Sequence, residues 1–357
     1  MSRARVLFLA WAPTAGRARD LARALDGEAS TVYPASLSSR RLTPVRYAAS
    51  MVLTAAELVR RRPRAVVVQN PPVYPSLLAI AFVRATGGRF VLDSHPASFG
   101  VKGNRQAQRT LAVTRWLASH ADATLVTTQS WADVVEEWGG RAVVLHEAPP
   151  HWTVSDPRPL DGGRPQVLFS CVFAQDEPVD DVVEAARRVP EIDIAITGDP
   201  RRASEGQLDS LPPNVRLTGW LDQEAYAAEV DRCDILLALT DEPTSVMRAA
   251  YEAGYARRVL VLSGTPVMTA LFPEAVPTGN DAESLAVSLR DAVARHDELR
   301  SSLDQVRERQ RRRWSEQEDA LRDVLGLDPT PPDGGAGGDP ARTATARPTV
   351  TSEVPSP

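Results

Sequence analysis

The chain reads Ile235-Leu236-Leu237-Ala238-Leu239, then Thr244-Ser245-Val246-Met247-Arg248-Ala249-Ala250-Tyr251-Glu252-Ala253-Gly254, and then Val259-Leu260-Val261-Leu262. Two short apolar runs on either side of a helical pattern predict a strand, a loop, a helix over Ser245–Ala256 and a second strand. That order of elements is the repeating unit of a parallel sheet covered by helices, and it favours an α/β fold.

The helix in this stretch carries the first candidate site. Thr244 can cap its N-terminus through the hydroxyl, with Ser245 at the same end, and a helix N-terminus is a ready site for an anion. Arg248 and Glu252 follow on the same side of the helix. The arrangement suits a nucleotide diphosphate, with amides on the phosphates and a carboxylate on the ribose. An ordinary crossover helix, in which Glu252 only pairs with a neighbour, is an equally open interpretation.

Strand and helix patterns alternate twice along the chain, before and after a break rich in proline and glycine. The first strands are predicted at Val6–Ala10, Ala65–Gln69, Phe90–Leu92, Thr124–Thr127 and Val143–Leu145, and the second at Val167–Ser170, Asp193–Thr197, Val215–Thr218, Ile235–Leu239 and Val259–Leu262. This pattern predicts two Rossmann-like βαβ domains with parallel sheets. The predicted division is a domain at 1–150, a linker at 151–164, a domain at 165–298, a helix at 299–327 that crosses back, and a disordered tail at 328–357.

Composition limits the class of protein. The 357 residues are 43% hydrophobic, which is enough for two packed cores, and no apolar run approaches the length of a membrane span. Cys171 and Cys233 both occur in apolar, strand-like settings, which predicts buried free thiols and a reducing, cytoplasmic compartment. Cysteines and histidines lack the spacing of metal ligands, so no metal site is predicted.

The net charge of −5 hides an asymmetry, because residues 1–150 carry a net charge of +9 and the remainder carries −14. Arginines flank a helical apolar pattern at Tyr47–Val59, and these arginines are Arg40, Arg41, Arg46, Arg60, Arg61, Arg62 and Arg64. A basic, partly apolar helix can rest on an anionic membrane surface. The other interpretation is a core helix with solvated arginine ends. Nucleic acid is not favoured as a partner, because aromatic residues do not interleave the arginines.

Polar residues just past the predicted strands are candidate site residues, because parallel sheets bind ligands at the carboxyl ends of their strands. In the N-terminal half these are Gly16 and Arg17 after the first strand, which we place on the acceptor side. A single glycine there is not a phosphate-binding fingerprint. Asp93 and His95 follow the third strand. We place Asp93 on the acceptor side as well, and His95 can act as a general base or an electrophile in a cleft. A pair that merely ends the strand remains open.

The C-terminal half offers a second set of such residues. Ser170, Asp176 and Glu177 follow its first strand, and the two carboxylates precede a helix whose N-terminus they favour electrostatically. Contacts to sugar hydroxyls and helix capping are both open for them. Gly219 and Trp220 follow another strand, where the glycine permits close approach of a flat base and the tryptophan can shield it. Simple turn chemistry is the alternative.

Several motifs resemble the GT-B-fold glycosyltransferases of family 4. The resemblance covers residues 3–325 and rests on the tandem βα halves and on Asn214-Val215-Arg216-Leu217-Thr218-Gly219-Trp220, Ala225-Tyr226 before Cys233-Asp234-Ile235, and Thr244–Gly254 before Val259–Ser263. Val68-Gln69-Asn70-Pro71-Pro72 with Asp93-Ser94-His95 is similar to mannosyltransferases that elongate lipid-linked chitobiose diphosphate.

The resemblance implies two Rossmann-like domains that face a cleft, with the donor in the C-terminal domain. It also implies that Glu252 grips the donor ribose and that His95 lies at the catalytic centre. Family members have a glutamate where this sequence has Thr244, and an arginine and a lysine in the loop that here runs from Ser170 to Pro178. We therefore expect Arg248 and helix amides to compensate for the missing groups.

The predicted function is that of a cytoplasmic, metal-independent glycosyltransferase without a cofactor, peripheral on the membrane if the basic helix is a membrane surface. It moves a sugar from a nucleotide-diphosphate sugar to a glycan or lipid-linked acceptor, such as a polysaccharide precursor. Retention of configuration is implied by the resemblance alone. Two alternatives stay open. One is an inactive GT-B binding or scaffold subunit, and the other is a nucleotide-sugar epimerase, which would need carboxylates from both domains.

Overall fold

Two six-stranded parallel sheets form the framework of a computed structural model, which describes residues 5–37, 39–100 and 105–329. The strand at Ala142–Val144 ends the first sheet along the chain, and the strand at Gln166–Phe169 begins the second. Apart from residues 328 and 329, the predicted disordered tail lies outside the described residues.

The N-terminal sheet has the order β2-β1-β3-β4-β5-β6, and its strands pair in parallel. These strands are β1 (Val6–Ala10), β2 (Glu28–Thr31), β3 (Ala65–Asn70), β4 (Arg89–Ser94), β5 (Ala123–Val126) and β6 (Ala142–Val144). The helices are α1 (Gly16–Ala24), α2 (Thr43–Arg61), α3 (Tyr74–Thr86), α4 (Arg105–His120) and α5 (Gln129–Glu137). All five residues of β1 are buried, as expected for a strand that is covered on both faces.

The C-terminal sheet has the order β12-β11-β10-β7-β8-β9 and is also parallel. Its strands are β7 (Gln166–Phe169), β8 (Asp193–Thr197), β9 (Val215–Gly219), β10 (Ile235–Ala238), β11 (Val259–Ser263) and β12 (Val276–Thr278). The helices are α6 (Val179–Arg188), α7 (Gln223–Arg232), α8 (Arg248–Ala256), α9 (Pro266–Leu271), α10 (Ala282–Ala294) and α11 (His296–Leu325).

The long helix α11 connects the two cores. At its beginning Leu299 and Leu303 pack into the core of the C-terminal sheet. Further along, Trp314, Leu321 and Val324 pack against the N-terminal sheet and α1. One helix therefore contributes apolar side chains to both cores and links the two sheets.

Among the described strands and α-helices, those not predicted from the sequence are β2, β12 and α9. The strand β2 reads Glu-Ala-Ser-Thr and is half-exposed, so it has no apolar run to reveal it. The strand β12 is three residues long and contains Pro277, which fits an edge strand. The helix α9 is a short segment whose capping residue, Thr265, accepts a hydrogen bond from the Met268 amide at 3.3 Å.

None of the helices in the described part of the chain is both long enough and apolar enough to cross a membrane. Cys171 and Cys233 are buried free thiols, as predicted.

Candidate active site

The strand orders place one topological switch point in each sheet. In the N-terminal sheet the direction of strand addition reverses between β1 and β3, and in the C-terminal sheet it reverses between β7 and β10. Ligands of open parallel sheets bind outside the carboxyl ends of the strands at such points. The loops that follow β1, β7 and β10 are therefore where a site is expected.

Glu252 lies inside α8 and is buried, and its carboxylate has two partners. Arg248, one turn earlier, donates from Nε to Oε1 at 2.8 Å, and the Tyr226 hydroxyl donates to Oε2 at 2.7 Å. The same hydroxyl lies 3.1 Å from Ser170 Oγ at the carboxyl end of β7. Burial and the Glu252 charge both raise the pKa of Tyr226, so it stays a protonated donor.

Arg248 also reaches the N-terminal domain. Its Nη2 donates to Asp20 Oδ2 of α1 at 2.7 Å, and its Nη1 lies 3.7 Å from Glu147 Oε2. A Cβ atom at Gly16 would lie 3.0 Å from Arg248 Nη1, so a larger residue at Gly16 would crowd the guanidinium. Burial disfavours the charged form, but Glu252, Glu147 and Asp20 outweigh it and raise the pKa of Arg248.

Arg17 forms the other half of this charge cluster. Its Nε lies 3.2 Å from Asp93 Oδ1, and its Nη1 donates to Glu147 Oε1 at 2.7 Å. It also donates to the backbone oxygens of His146 at 3.2 Å and Leu145 at 2.9 Å. Burial alone would raise the pKa of Glu147, but Arg17 and Arg248 outweigh it and lower that pKa.

The acceptor-side role expected for Arg17 and Asp93 stays a prediction. Both groups are mostly buried and are bonded to each other and to the segment after β6, so neither presents a free charge to an acceptor. The charge cluster, defined as Arg17, Arg248, Asp20, Asp93, Glu147 and Glu252, contains two cations and four carboxylates. Asp20 and Glu147 were not among the predicted residues.

His95 follows β4 and is exposed at the same end of the sheet. Its Nδ1 accepts a hydrogen bond from the Ala97 amide at 3.3 Å, so the neutral ring carries its proton on Nε2. Desolvation by the surrounding protein lowers the pKa of His95, and Arg17 adds to this, whereas Asp93, Glu147 and Asp176 oppose it.

The two carboxylates after β7 differ in their surroundings. Glu177 is buried and accepts hydrogen bonds from the amides of Val172 at 3.0 Å and Ala174 at 2.7 Å. Its carboxylate therefore holds the loop after β7, and no side chain caps α6, which corrects the interpretation as a helix cap. Contact of Glu177 with sugar hydroxyls stays a prediction. Asp176 is half-buried and accepts from Thr240 Oγ1 at 2.7 Å.

A network of uncharged side chains fixes the loop after β10. Thr240 donates its amide proton to Ser263 Oγ at 2.9 Å, and Ser263 donates to Asn280 Oδ1 at 2.6 Å. Asn280 returns a hydrogen bond to the Thr240 carbonyl at 2.8 Å. Sequence reasoning did not find this network, because its members come from three separate strand ends.

The prediction that Thr244 caps α8 is wrong. The helix begins at Arg248, its capping residue is Met247, and that side chain makes no capping hydrogen bond. Thr244 instead donates to Glu242 Oε1 at 2.7 Å, and the Ser245 amide bonds the Glu242 carbonyl at 3.1 Å. These local hydrogen bonds compete with helix formation and delay its start by three residues.

Gly219 and Trp220 end β9 beside open space. Gly219 has a φ of 75°, in the left-handed region that favours glycine, and a Cβ atom there would meet no atom within 4 Å. Trp220 is 59% exposed. An aromatic ring beside an open backbone position is able to cover a flat ligand.

Potential metal ligands are scattered through the described residues, and no three of the His, Cys, Asp and Glu side chains there form a group that could hold a metal ion.

The N-terminal domain corresponds to a known family. Residues 2–151 match the family described as "Glycosyl transferase 4-like domain". The N-terminal half of the chain is therefore similar to glycosyltransferase domains of this kind. A comparison of the sequence with curated proteins finds no match.

Solved structures share the fold over the length of the chain. Anabaena HepE in complex with UDP and glucose is 13% identical with a TM-score of 0.68, and the match covers 90% of this chain and 99% of that one. Sucrose-phosphate synthase from Thermosynechococcus elongatus is 14% identical, with a TM-score of 0.66 and coverages of 90% and 98%. MnaA from S. aureus with UDP is 12% identical, with a TM-score of 0.59 and coverages of 92% and 98%.

These findings confirm the predicted α/β fold with two Rossmann-like domains. Together with the family match, they also confirm the predicted class, a GT-B glycosyltransferase.

Proposed function

We propose that the protein transfers a sugar from a nucleotide-diphosphate sugar to an acceptor across the cleft, without a metal ion. The observation that carries the proposal is the position of the Arg248–Glu252 pair. The pair lies in the C-terminal domain and directly faces Asp20 and Glu147 of the glycosyltransferase 4-like domain. A ligand held by this pair would lie between the two domains, where GT-B folds react.

The donor would occupy the C-terminal side. Glu252 is oriented by Tyr226 and Arg248, so a carboxylate oxygen is prepared to accept from ribose hydroxyls. Trp220 would cover the base next to Gly219. Structures of HepE with UDP-glucose and of MnaA with UDP support a uridine nucleotide as the first one to test.

The diphosphate would enter a charge cluster that has more carboxylates than arginines. Arg248 can bind a phosphate only by exchanging Asp20 and Glu147 for phosphate oxygens. Since Arg248 remains about one-third exposed, a ligand can reach it. Its charge would then stabilise the leaving diphosphate, and such preorganised groups supply a large part of enzymatic rate enhancement.

His95 would act on the reacting sugar from the opposite domain. Its lowered pKa keeps the ring neutral at pH 7, and Nε2–H is then a hydrogen-bond donor to a sugar hydroxyl. Retention of the anomeric configuration is part of the proposal on the strength of the family resemblance.

The acceptor is proposed to be a glycan or a lipid-linked precursor. Trp11, Tyr47 and Tyr74 support this, because they form a cluster of mutually contacting rings just past β1, with centroids 5.3–6.4 Å apart. Tyr74 is 40% exposed. Aromatic surfaces of this kind suit the apolar faces of sugars or an isoprenoid chain.

Two observations favour rival functions strongly enough to be tested alongside. The loop from Ser170 to Pro178 contains no lysine or arginine, and Arg248 is already paired, which suits an inactive binding subunit. Carboxylates from both domains do meet in the cleft, which suits a nucleotide-sugar epimerase.

One experiment separates the three. The full chain is screened by thermal shift against nucleotides and nucleotide sugars, since a ligand that binds only the folded state raises its melting temperature. The stabilising nucleotide sugar is then incubated with the protein and followed by NMR. A transferase releases nucleoside diphosphate with free sugar slowly, and faster with an acceptor. An epimerase yields a second nucleotide sugar, and a scaffold leaves the donor unchanged. No stabilisation by any nucleotide would overturn the proposal.

A further inference from the structure

The helix α2 exposes an unusual outer face. Residues with a spacing of three or four lie on one side of the helix and point to solvent, and these residues are Val45, Ala48, Val52, Ala56 and Val59. Val52 is 69% exposed, Val59 61% and Val45 53%. Leu42 and Leu53, at 38% and 49%, extend the patch to its sides. A helix of 19 residues is about 28 Å long, so the outer face is a continuous apolar strip.

The opposite side of α2 is what packs on the domain. Ser50, Thr54 and Leu58 are buried, and Thr54 accepts a hydrogen bond from Trp11 Nε1 at 2.8 Å. The helix is therefore amphipathic, but its more apolar face points to solvent and not to the protein. Small polar groups face the protein along with Leu58, and valines face the solvent, so packing within the chain does not explain the outer face.

Most of the charged residues around the strip are arginines. Arg41 is exposed before the helix, and Arg60, Arg62 and Arg64 are exposed at its end. The only acidic residue between positions 43 and 61 is Glu57, which is paired with Arg60 and Arg61. The structure also corrects the predicted set of arginines. Arg61 bonds Glu57 and Glu28, and Arg46 lies over the ring of Tyr33, while the side chain of Arg40 is outside the described residues.

We propose that the outer face of α2, with its terminal arginines, docks on an anionic lipid bilayer. A helix lying in the plane of the interface buries an apolar face at the boundary of the acyl chains, and basic residues at its ends meet acidic headgroups. A second copy of the chain fits less well. Either orientation of two α2 helices would bring arginines of one copy against arginines of the other.

Docking would place the cleft at the membrane. Trp11 bonds the inner side of α2, and five residues later Gly16 approaches Arg248 in the cleft. A lipid-linked acceptor in the same bilayer would then reach the aromatic cluster. This last step rests on the proposed function, whereas the docking surface itself does not.

The test uses the full chain and vesicles of phosphatidylcholine with or without phosphatidylglycerol, followed by sedimentation. Binding is expected only to the anionic vesicles and should weaken in high salt. Val59→Asp and Val52→Asp should each reduce the partition coefficient at least about tenfold, because a charge replaces an inserted apolar group. Val287→Asp is the matched control, since Val287 is also 61% exposed but lies on α10, and it should bind like the wild type.

For each variant, light scattering without lipid measures the oligomeric state, and the melting temperature shows whether the variant is folded. If Val59→Asp fails to fold, Val59→Ser takes its place with a smaller expected loss of binding. Equal recovery with neutral and anionic vesicles, or equal loss for Val287→Asp, would overturn the proposal. A wild type that is dimeric in solution and becomes monomeric on Val59→Asp would also overturn it and assign the strip to a contact between copies.

Discussion

The two arginines of the charge cluster make a useful comparison, because they share Glu147 but differ in their other contacts. Arg17 is 18% exposed and donates to two carboxylates and two backbone carbonyls, so its donors are committed to the protein. Arg248 is 34% exposed, and its partners are all carboxylates. A phosphate can replace a carboxylate as a partner but cannot easily replace buried backbone oxygens. From this difference we predict that Arg17 stabilises the fold and that Arg248 binds the ligand.

The largest effect expected from this comparison is on stability. Arg17→Met leaves Asp93 and Glu147 buried without their cation, so the free energy of unfolding should fall by about 3–5 kcal/mol. Urea denaturation measures the change. Arg201→Met is the control, because Arg201 pairs with Asp199 but is 89% exposed, and its effect on stability should be negligible beside that of Arg17→Met. Equal effects of the two substitutions would contradict the structural role of Arg17.

The second prediction concerns ligand binding on the Arg248 side. Glu252→Gln keeps the size of the side chain but loses a charge-assisted hydrogen bond, so the donor should bind more weakly by about 1.5–3 kcal/mol. Calorimetry with the nucleotide found in the screen measures the dissociation constant. Glu229→Gln is a matched control, because Glu229 is also buried and also ion-paired, in its case to Arg216 on β9 and Arg232 on α7. An unchanged affinity in Glu252→Gln would remove Glu252 from the site.

The residues of the charge cluster differ in how far the sequence predicts them. The pairing of Arg248 with Glu252 follows from a spacing of four in a helix, and apolar runs located ten of the twelve strands. Glu147 follows β6 as the other candidates follow their strands, so a stricter use of the same rule would have found it. Asp20 lies within α1, and nothing local marks it. It joins the site only because α1 meets α8 across the cleft, which is a tertiary contact.

Thr244 shows the opposite case, in which the sequence predicts a role that the structure does not contain. A threonine before an apolar helical pattern is a good capping signal, but Glu242 two residues earlier offers it a nearer partner. The start of a helix is the part of its pattern that periodicity determines least, because the first turn has few intrahelical hydrogen bonds to lose.

The third prediction extends the stabilising side of the comparison to pH. His146 Nδ1 lies 3.2 Å from Gln317 Nε2 of α11, and the backbone amide of His146 donates to Gln317 Oε1 at 2.9 Å. Burial, with Arg313 and Arg17 nearby, lowers the pKa of His146 to about 4 from 6.5. At pH values between about 4 and 6.5, His146 is protonated in the unfolded chain and neutral in the folded protein. Stability should therefore fall by about 2 kcal/mol between pH 7 and pH 5.

Urea denaturation of the wild type and of His146→Gln at both pH values isolates this contribution. The variant cannot take up the proton, so its loss of stability over this range should be smaller by about that amount. If both proteins lose stability in parallel, His146 does not control how α11 packs against the N-terminal domain at low pH.

The smallest expected effect is the one that tests the comparison most directly. Asp20→Asn removes the carboxylate closest to the Arg248 Nη2 atom, at 2.7 Å, and leaves a neutral side chain of the same size. If Arg248 must leave Asp20 to bind a diphosphate, the donor should bind about two- to fivefold more tightly, which corresponds to less than about 1 kcal/mol.

Asp93→Asn makes the same change next to Arg17, where we expect lower stability and no gain in affinity. Calorimetry on both variants decides between the roles, because a gain in both, or in Asp93→Asn alone, would mean that the two arginines are not divided into a stabilising and a ligand-binding group. Weaker donor binding in Asp20→Asn would show instead that the Asp20–Arg248 ion pair orients the guanidinium for the phosphate and does not compete with it.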